Sequence, residues 1–75
     1  MNKFSQTRIL LGKRIKELRL EQNISIKDLS IKSKISTTYL RKIESGKAVG
    51  INTSHLYRLY KCFKLKSLKD LLNFY

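Results

Sequence analysis

The sequence contains no proline, three glycines and one cysteine in 75 residues. It has no proline- or glycine-rich linker, and we find no internal repeat or low-complexity stretch. The single cysteine, Cys62, excludes a disulfide within the chain, which argues against a small secreted scaffold held by disulfides. No apolar run reaches the roughly 18 residues of a membrane-spanning helix. The first residues also lack an apolar block of signal-peptide length, so we expect a cytoplasmic protein outside the membrane.

Acidic residues are scarce as well. Five Asp or Glu stand against seventeen Lys or Arg, which gives a formal net charge of +12. So much positive charge on so short a chain predicts an anionic partner, either nucleic acid or a membrane surface. The alternative from charge alone is a protein that merely carries a lysine-rich solvated face.

The length and the chemistry of the side chains disfavour an enzyme. The chain fits one domain, residues 1–75, and a domain this small buries only about 60% of its unfolded surface. We find no acid pair, no nucleophile with a base, no glycine-rich phosphate loop and no cluster of metal ligands. His55 has no nearby Cys or His partner. We therefore expect no catalytic residues, no metal and no cofactor.

Apolar residues recur at helical spacing through the whole chain, and strand signals are weak. This pattern predicts an all-α protein, a compact bundle of five short helices. The expected helices cover about 7–22, 26–33, 37–45 and 53–63, followed by a last one through Leu68, Leu71 and Leu72 and towards Phe74. The residues expected to face the core are Leu11, Ile15, Leu18, Leu29, Ile35, Leu40, Ile43, Leu56, Leu59, Tyr60 and Phe63, with Gln22 on the same face of the first helix.

Helix boundaries are marked by capping residues. Ser25 with Asp28, and Ser67 with Asp70, have the spacing of a capping box. Ser36 is expected to cap the third helix, and Asn52 or Thr53 the fourth. Asn23 and Gly46 suit the left-handed conformation that ends a helix. Gly12, inside the first helix, is expected to weaken it by up to about 1 kcal/mol relative to Ala.

Two short capped helices joined by a turn of about three residues form the arrangement of a helix-turn-helix, at about 26–45. In such a unit the amino terminus of the first helix can bind phosphate, and the second helix enters the major groove of DNA. An outward face that is polar and free of acids suits that groove. The residues expected on this face are Thr37, Thr38, Arg41 and Lys42.

Residues 12–72 resemble the Cro and phage-repressor (XRE-type) family of helix-turn-helix transcriptional regulators. The matching stretches are 12–19 (GKRIKELR), 25–30 (SIKDLS) and 36–47 (STTYLRKIESGK), of which the last is the most specific. Small restriction-modification controller proteins and phage or plasmid repressors share this size and pattern. The sequence departs from the family at Ile26, where many relatives have Gln, at Lys34, which replaces a usual Gly, and at Ser30, which replaces Ala. The loop at 65–67 is one residue longer.

The resemblance implies a role for each matched position. Thr37, Thr38 and Lys42 correspond to base contacts, with Arg41 at the edge of that face. Four residues correspond to contacts with phosphate: Ser25, Ile26, Lys27 and Lys47. We add Ser36 and Tyr39 as further candidates for phosphate contacts. The alternative for Tyr39 is packing beside Leu40. Arg19 and Glu44 match an ion pair that fixes the tilt of the reading helix.

These observations predict a sequence-specific regulator that binds a double-stranded DNA operator as a homodimer, paired through residues 65–75. Threonine can contact thymine methyl groups, and Lys42 or Arg41 can bond guanine, which predicts an A·T-containing site with a guanine step. Three alternatives stay open: an antitoxin with a toxin partner, a non-specific basic nucleic-acid-binding protein, and a membrane-active cationic peptide. The breaks at Asn23, Ser36 and Gly46 disfavour the last, because it needs one continuous amphipathic helix.

Residues near the carboxyl terminus have two interpretations each. Lys61, Lys64, Lys66 and Lys69 form either a patch that binds the DNA backbone or a solvated face. Cys62 is expected in the core. The aromatic residues there exceed what so small a core needs, which also suggests self-association; they are Tyr57, Tyr60, Phe63, Phe74 and Tyr75.

Overall fold

The computed structural model describes residues 3–72, and these form five α-helices without a β-strand. The all-α class and the helix count expected from the sequence are confirmed. The part of the last helix expected towards Phe74, and Tyr75 with it, lies outside the described residues. The helices are α1 Lys3–Glu21, α2 Ile26–Ser33, α3 Thr37–Glu44, α4 Thr53–Cys62 and α5 Leu68–Leu71.

One apolar core joins all five helices, and each helix contributes a side chain that is fully shielded from solvent. These residues are Ile15, Leu29, Leu40, Leu59 and Leu71. Full burial of an aliphatic side chain of this size contributes about 1.5–3 kcal/mol. Of the apolar residues expected to face the core, Leu56 and Tyr60 are partly buried and pack against it, and the others are buried. Ile35, expected to be buried in the turn between α2 and α3, is 4% exposed.

The first helix is longer than expected and starts at Lys3 instead of residue 7. Its early part has a tertiary contact, because the Ile9 side chain lies against Gly46 at the end of α3. At the other end Asn23 adopts a φ of 55°, and the amide of Ile24 donates to the carbonyl of Arg19 at 2.9 Å. Gln22, placed on the core face by its spacing, is exposed.

Gly12 brings α1 and α3 into backbone contact. An ideal Cβ at this position would lie 2.1 Å from the carbonyl oxygen of Ile43 and 3.1 Å from the carbonyl carbon of Glu44. Only glycine permits this approach, since real Cβ contacts stay beyond about 3 Å. The glycine that weakens the isolated helix is thus the residue that lets α1 support α3.

The turn between α2 and α3 is held by three serines. Ser30 donates its hydroxyl to the carbonyl of Ile35 at 2.6 Å, and the amide of Ile35 donates to the hydroxyl of Ser33 at 3.3 Å. Ser36 then caps α3. Lys34, between them, adopts a left-handed φ of 59°, which costs a residue with a side chain about 1–2 kcal/mol. The hydroxyls fix a turn whose left-handed corner is a lysine.

One predicted cap is wrong, whereas the cap of α4, expected at Asn52 or Thr53, is confirmed at Asn52. The Ser67–Asp70 capping box is wrong: the Ser67 hydroxyl accepts no capping bond, because the amide of Asp70 donates to the Ser67 backbone carbonyl at 3.1 Å. A complete capping box instead begins α4. There the His55 amide donates to Asn52 Oδ1 at 3.0 Å and the Asn52 amide donates to His55 Nδ1 at 3.3 Å.

Tyr57 and Cys62, both on α4, are not fully buried. Tyr57 is 54% exposed, with its ring 6.0 Å from that of Tyr60 and below the ammonium of Lys61. Cys62 is partly buried at the end of α4. Burial raises the pKa of its thiol, and the charge of Lys32 offsets part of that rise.

Candidate nucleic-acid interface

The two sides of α3 differ sharply in chemistry. Leu40 and Ile43 are 0% and 1% exposed and anchor the helix to the core. On the opposite side Thr38, Arg41 and Lys42 are exposed, whereas Thr37, expected to point fully outward, is partly buried. The exposed side therefore offers a hydroxyl and two cations to an external partner.

The one acid of α3 does not belong to that exposed side. Glu44 turns towards α1 and forms a two-bond ion pair with Arg19, whose Nε and Nη2 donate to its two oxygens at 2.7 and 3.1 Å. Both side chains are largely buried, with 12% and 9% exposure. The hydrogen bond to Glu44 raises the pKa of the Arg19 guanidinium, while burial acts in the opposite direction.

Arg19 connects three parts of the molecule. Besides Glu44 on α3, its Nη1 donates to the carbonyl of Ile24 in the α1–α2 loop at 3.0 Å. A bidentate contact to a carboxylate has little angular freedom. Together with the glycine contact at Gly12, this pair sets the position of α3 relative to α1.

The amino termini of α2 and α3 are built alike. The hydroxyl of Ser25 accepts from the amide of Asp28 at 3.0 Å, and the hydroxyl of Ser36 accepts from the amide of Tyr39 at 3.1 Å. Each cap satisfies one of the amides at its helix start, and a helix start also favours an anion through its dipole. Of the residues predicted to contact phosphate at the start of α2, Ser25 and Lys27 are exposed and Ile26 is partly buried.

Arg41 lies in a shallow depression between α1, α2 and α3. Its lining includes Ile26 at the start of α2, Lys16 on α1 and the Arg19–Glu44 pair. The structure thus brings a residue predicted to read bases next to one predicted to bind phosphate. Lys16 was missed in the sequence, although it lies one helical turn before Arg19 and so on the same side of α1.

The remaining predicted contacts are placed around α3. Lys47 is exposed in the loop that follows the helix. Tyr39 is partly buried and its hydroxyl donates to the carbonyl of Val49. Because that bond uses the hydroxyl proton, the structure places Tyr39 as a link between α3 and the loop that leads to α4.

The basic residues of the carboxyl-terminal part are exposed individually, and they lie at and beyond the end of α4. They are Lys61, Lys64, Lys66 and Lys69. Within residues 3–72, no helix is long and apolar enough to cross a membrane. In the same range no three His, Cys, Asp or Glu side chains come together in a group able to hold a metal ion.

Comparison with known proteins agrees with this geometry. Residues 12–75 match the model of a family described as helix-turn-helix domain. The restriction-modification controller protein C.AhdI from Aeromonas hydrophila has a similar fold, with a TM-score of 0.78 and 20% sequence identity; the match covers 85% of this chain and 94% of that one. No curated protein matches the chain.

The family match covers α2, α3 and the turn between them, which are the elements with the arrangement described above. It also includes the glycine contact at Gly12 and the Arg19–Glu44 pair that hold α3 in place. This chain belongs to the helix-turn-helix domain family.

Proposed function

We propose that this protein is a sequence-specific, double-stranded DNA-binding transcriptional regulator that reads the major groove with α3. The observation that carries the proposal is the distribution of charge on that helix. Its exposed side offers Thr38, Arg41 and Lys42, while its one acid, Glu44, is paired inward with Arg19. A helix that meets the edges of base pairs between two rows of phosphates needs an outer face free of negative charge.

Base reading falls to the exposed side chains and to Thr37 at the helix start. Threonine methyl groups pack against thymine, and Lys42 or Arg41 donates to O6 and N7 of guanine. Five residues contact the phosphate backbone of the DNA and so fix the position of α3 without reading sequence: Ser25, Ile26, Lys27, Ser36 and Lys47. Tyr39 supports the same end of α3 through its bond to Val49.

The protein acts as a homodimer, paired through residues 65–75, on an operator with two related half-sites. Half-sites one helical turn apart, about 34–36 Å, suit two copies of a helix-turn-helix related by a two-fold axis. The solved structure with a similar fold is described as a restriction-modification controller protein. That likeness favours a regulator over the non-specific basic protein.

Selection of binding sites from a random duplex library tests the proposal. We expect enrichment of a two-part site that contains A·T pairs and at least one guanine per half. Sites made purely of G·C pairs would contradict the assigned contacts, and no enrichment at all would favour non-specific binding.

Two variants separate reading from anchoring. Lys42→Ala should relax the preference at one guanine position, since a good base contact contributes about 1–3 kcal/mol of discrimination. Lys27→Ala, which removes the same charge from α2, should weaken binding to all sequences by a similar factor. If both variants change affinity uniformly, Lys42 does not read a base, and the guanine contact falls to Arg41.

A further inference from the structure

A second cationic surface lies outside the exposed side of α3. A shallow groove runs between the α2–α3 turn and the first turns of α4, and its lining consists of Lys34, Ile35, Ser36, Tyr39, His55 and Arg58. None of these six residues is acidic. Sequence reasoning assigned no role to Lys34 or Arg58, because they come together only when α4 packs beside the turn.

Arg58 presents its guanidinium towards the start of α4. Its Nη2 donates to the hydroxyl of Ser54, one turn earlier, at 3.0 Å. This bond uses one of the five N–H groups of an arginine, and the side chain is exposed. A guanidinium held in this way keeps a planar pair of donors for an anion with two oxygens, such as a phosphate.

Lys34 reaches the same groove from the other side. It occupies the left-handed corner of the turn, with a φ of 59° and its amide bonded to the carbonyl of Ser30. Lysine is a strained choice for that conformation. Lys34 is exposed.

The position of the groove indicates which anion it meets. Ser36, in its wall, is the cap of α3 and directly precedes Thr37, so the groove opens beside the start of the reading helix. Tyr39 and His55 lie against each other with ring centroids 5.3 Å apart, and the Tyr39 hydroxyl bonds the loop before α4. These contacts keep the start of α4 beside the start of α3.

We propose that Lys34 and Arg58 grip a phosphate of the DNA strand that borders the major groove at the amino-terminal end of α3. The inference rests on the proposed function and adds to it an anchor that the helix-turn-helix unit alone does not contain. Since the contact is to the backbone, it strengthens binding to every duplex sequence equally and positions α3 along the groove.

The salt dependence of binding tests this anchor. Each phosphate neutralised on B-DNA contributes about −0.9 to the slope of log K against log salt concentration. We expect Arg58→Gln to make the slope shallower by about 0.9 and to weaken binding to the selected site and to an unrelated duplex by the same factor. Lys61→Gln is the matched control: it removes the same charge from the same helix, but its ammonium lies over the Tyr57 ring, 5.4 Å from the centroid.

A second variant separates the anchor from folding. Lys34→Gly removes the charge and relieves the left-handed strain, so it should melt no lower than the parent protein and yet show a shallower slope. The inference is overturned if Arg58→Gln and Lys34→Gly both keep the salt slope of the parent protein while the parent protein binds its site. A parent protein that binds no duplex DNA overturns the proposed function itself.

Discussion

The contact between α1 and α3 at Gly12 gives the sharpest prediction, because Gly12→Ala should stabilise the isolated helix but destabilise the folded protein. In a helix interior alanine is favoured over glycine by about 1 kcal/mol. In the fold, the new Cβ of Gly12→Ala would lie 2.1 Å from the carbonyl oxygen of Ile43. The two backbones would have to separate by about 1.3 Å to reach the 3.4 Å of an ordinary contact.

The size of the effect follows from which atoms collide. Overpacking costs typically about 1–3 kcal/mol, and the upper part of that range applies here because no side chain can rotate to relieve a contact with a carbonyl. After the gain in helix propensity, we expect Gly12→Ala to lose about 2 kcal/mol. For a domain of this size that corresponds to a melting temperature lower by about 8–16 °C.

Thermal and urea denaturation followed by circular dichroism measure this loss. Lys13→Ala is the control, since it changes an exposed neighbour in the same helix and should stay within about 0.5 kcal/mol of the parent. A Gly12→Ala protein as stable as the parent, or more stable, would refute the close approach of α1 and α3.

Further predictions concern the ion pair, the thiol and the dimer. Glu44→Gln should lower the free energy of unfolding by on the order of 2 kcal/mol, less than the about 3–5 kcal/mol of a fully buried pair, because this pair keeps some exposure and one bond survives. The control Glu17→Gln breaks a pair with a 57% exposed carboxylate and should cost at most about 1 kcal/mol. Equal melting temperatures for both variants would count against the buried pair. Burial raises the pKa of the Cys62 thiol in the folded protein. The contribution of this thiol to stability is therefore complete below the pKa of the unfolded thiol and is lost as the pH rises through the folded pKa. Thiol labelling at neutral pH should be slower in the native protein than in urea, and equal rates would contradict this. Leu68→Lys, at a 42% exposed position within the proposed pairing region, should shift the protein to monomer in sedimentation equilibrium and weaken operator binding; an unchanged mass would place the dimer interface elsewhere.

The features predicted correctly from the sequence are those set by neighbours along the chain. Ser25 and Ser36 cap their helices because a hydroxyl three residues before an amide needs no tertiary partner. Gly46 ends α3 for an equally local reason, its φ of 78°. Periodicity found the buried face of each helix, since a side chain such as Leu40 follows the turn of the helix into the core.

The features that were missed depend on packing between distant segments. Gly12 looked like a weak point because its partner, the carbonyl of Ile43, lies on another helix. The Ser67 box failed because a backbone carbonyl competed successfully for the Asp70 amide. The groove with Lys34 and Arg58 has no signal in the spacing of residues, because the turn and α4 meet only in the folded chain.

The bends between the helices affect the lifetime of the folded protein in a cell. The segments after α1, α2, α3 and α4 pass through left-handed residues. Asn23, Lys34 and Lys64 carry side chains, whereas Gly46 and Gly50, both after α3, are glycines. Total stability in small proteins is only about 5–15 kcal/mol. Exchange of residues at these bends can therefore lengthen or shorten the lifetime of the folded protein, and at Asn23 it would do so without altering any side chain considered for contact with DNA.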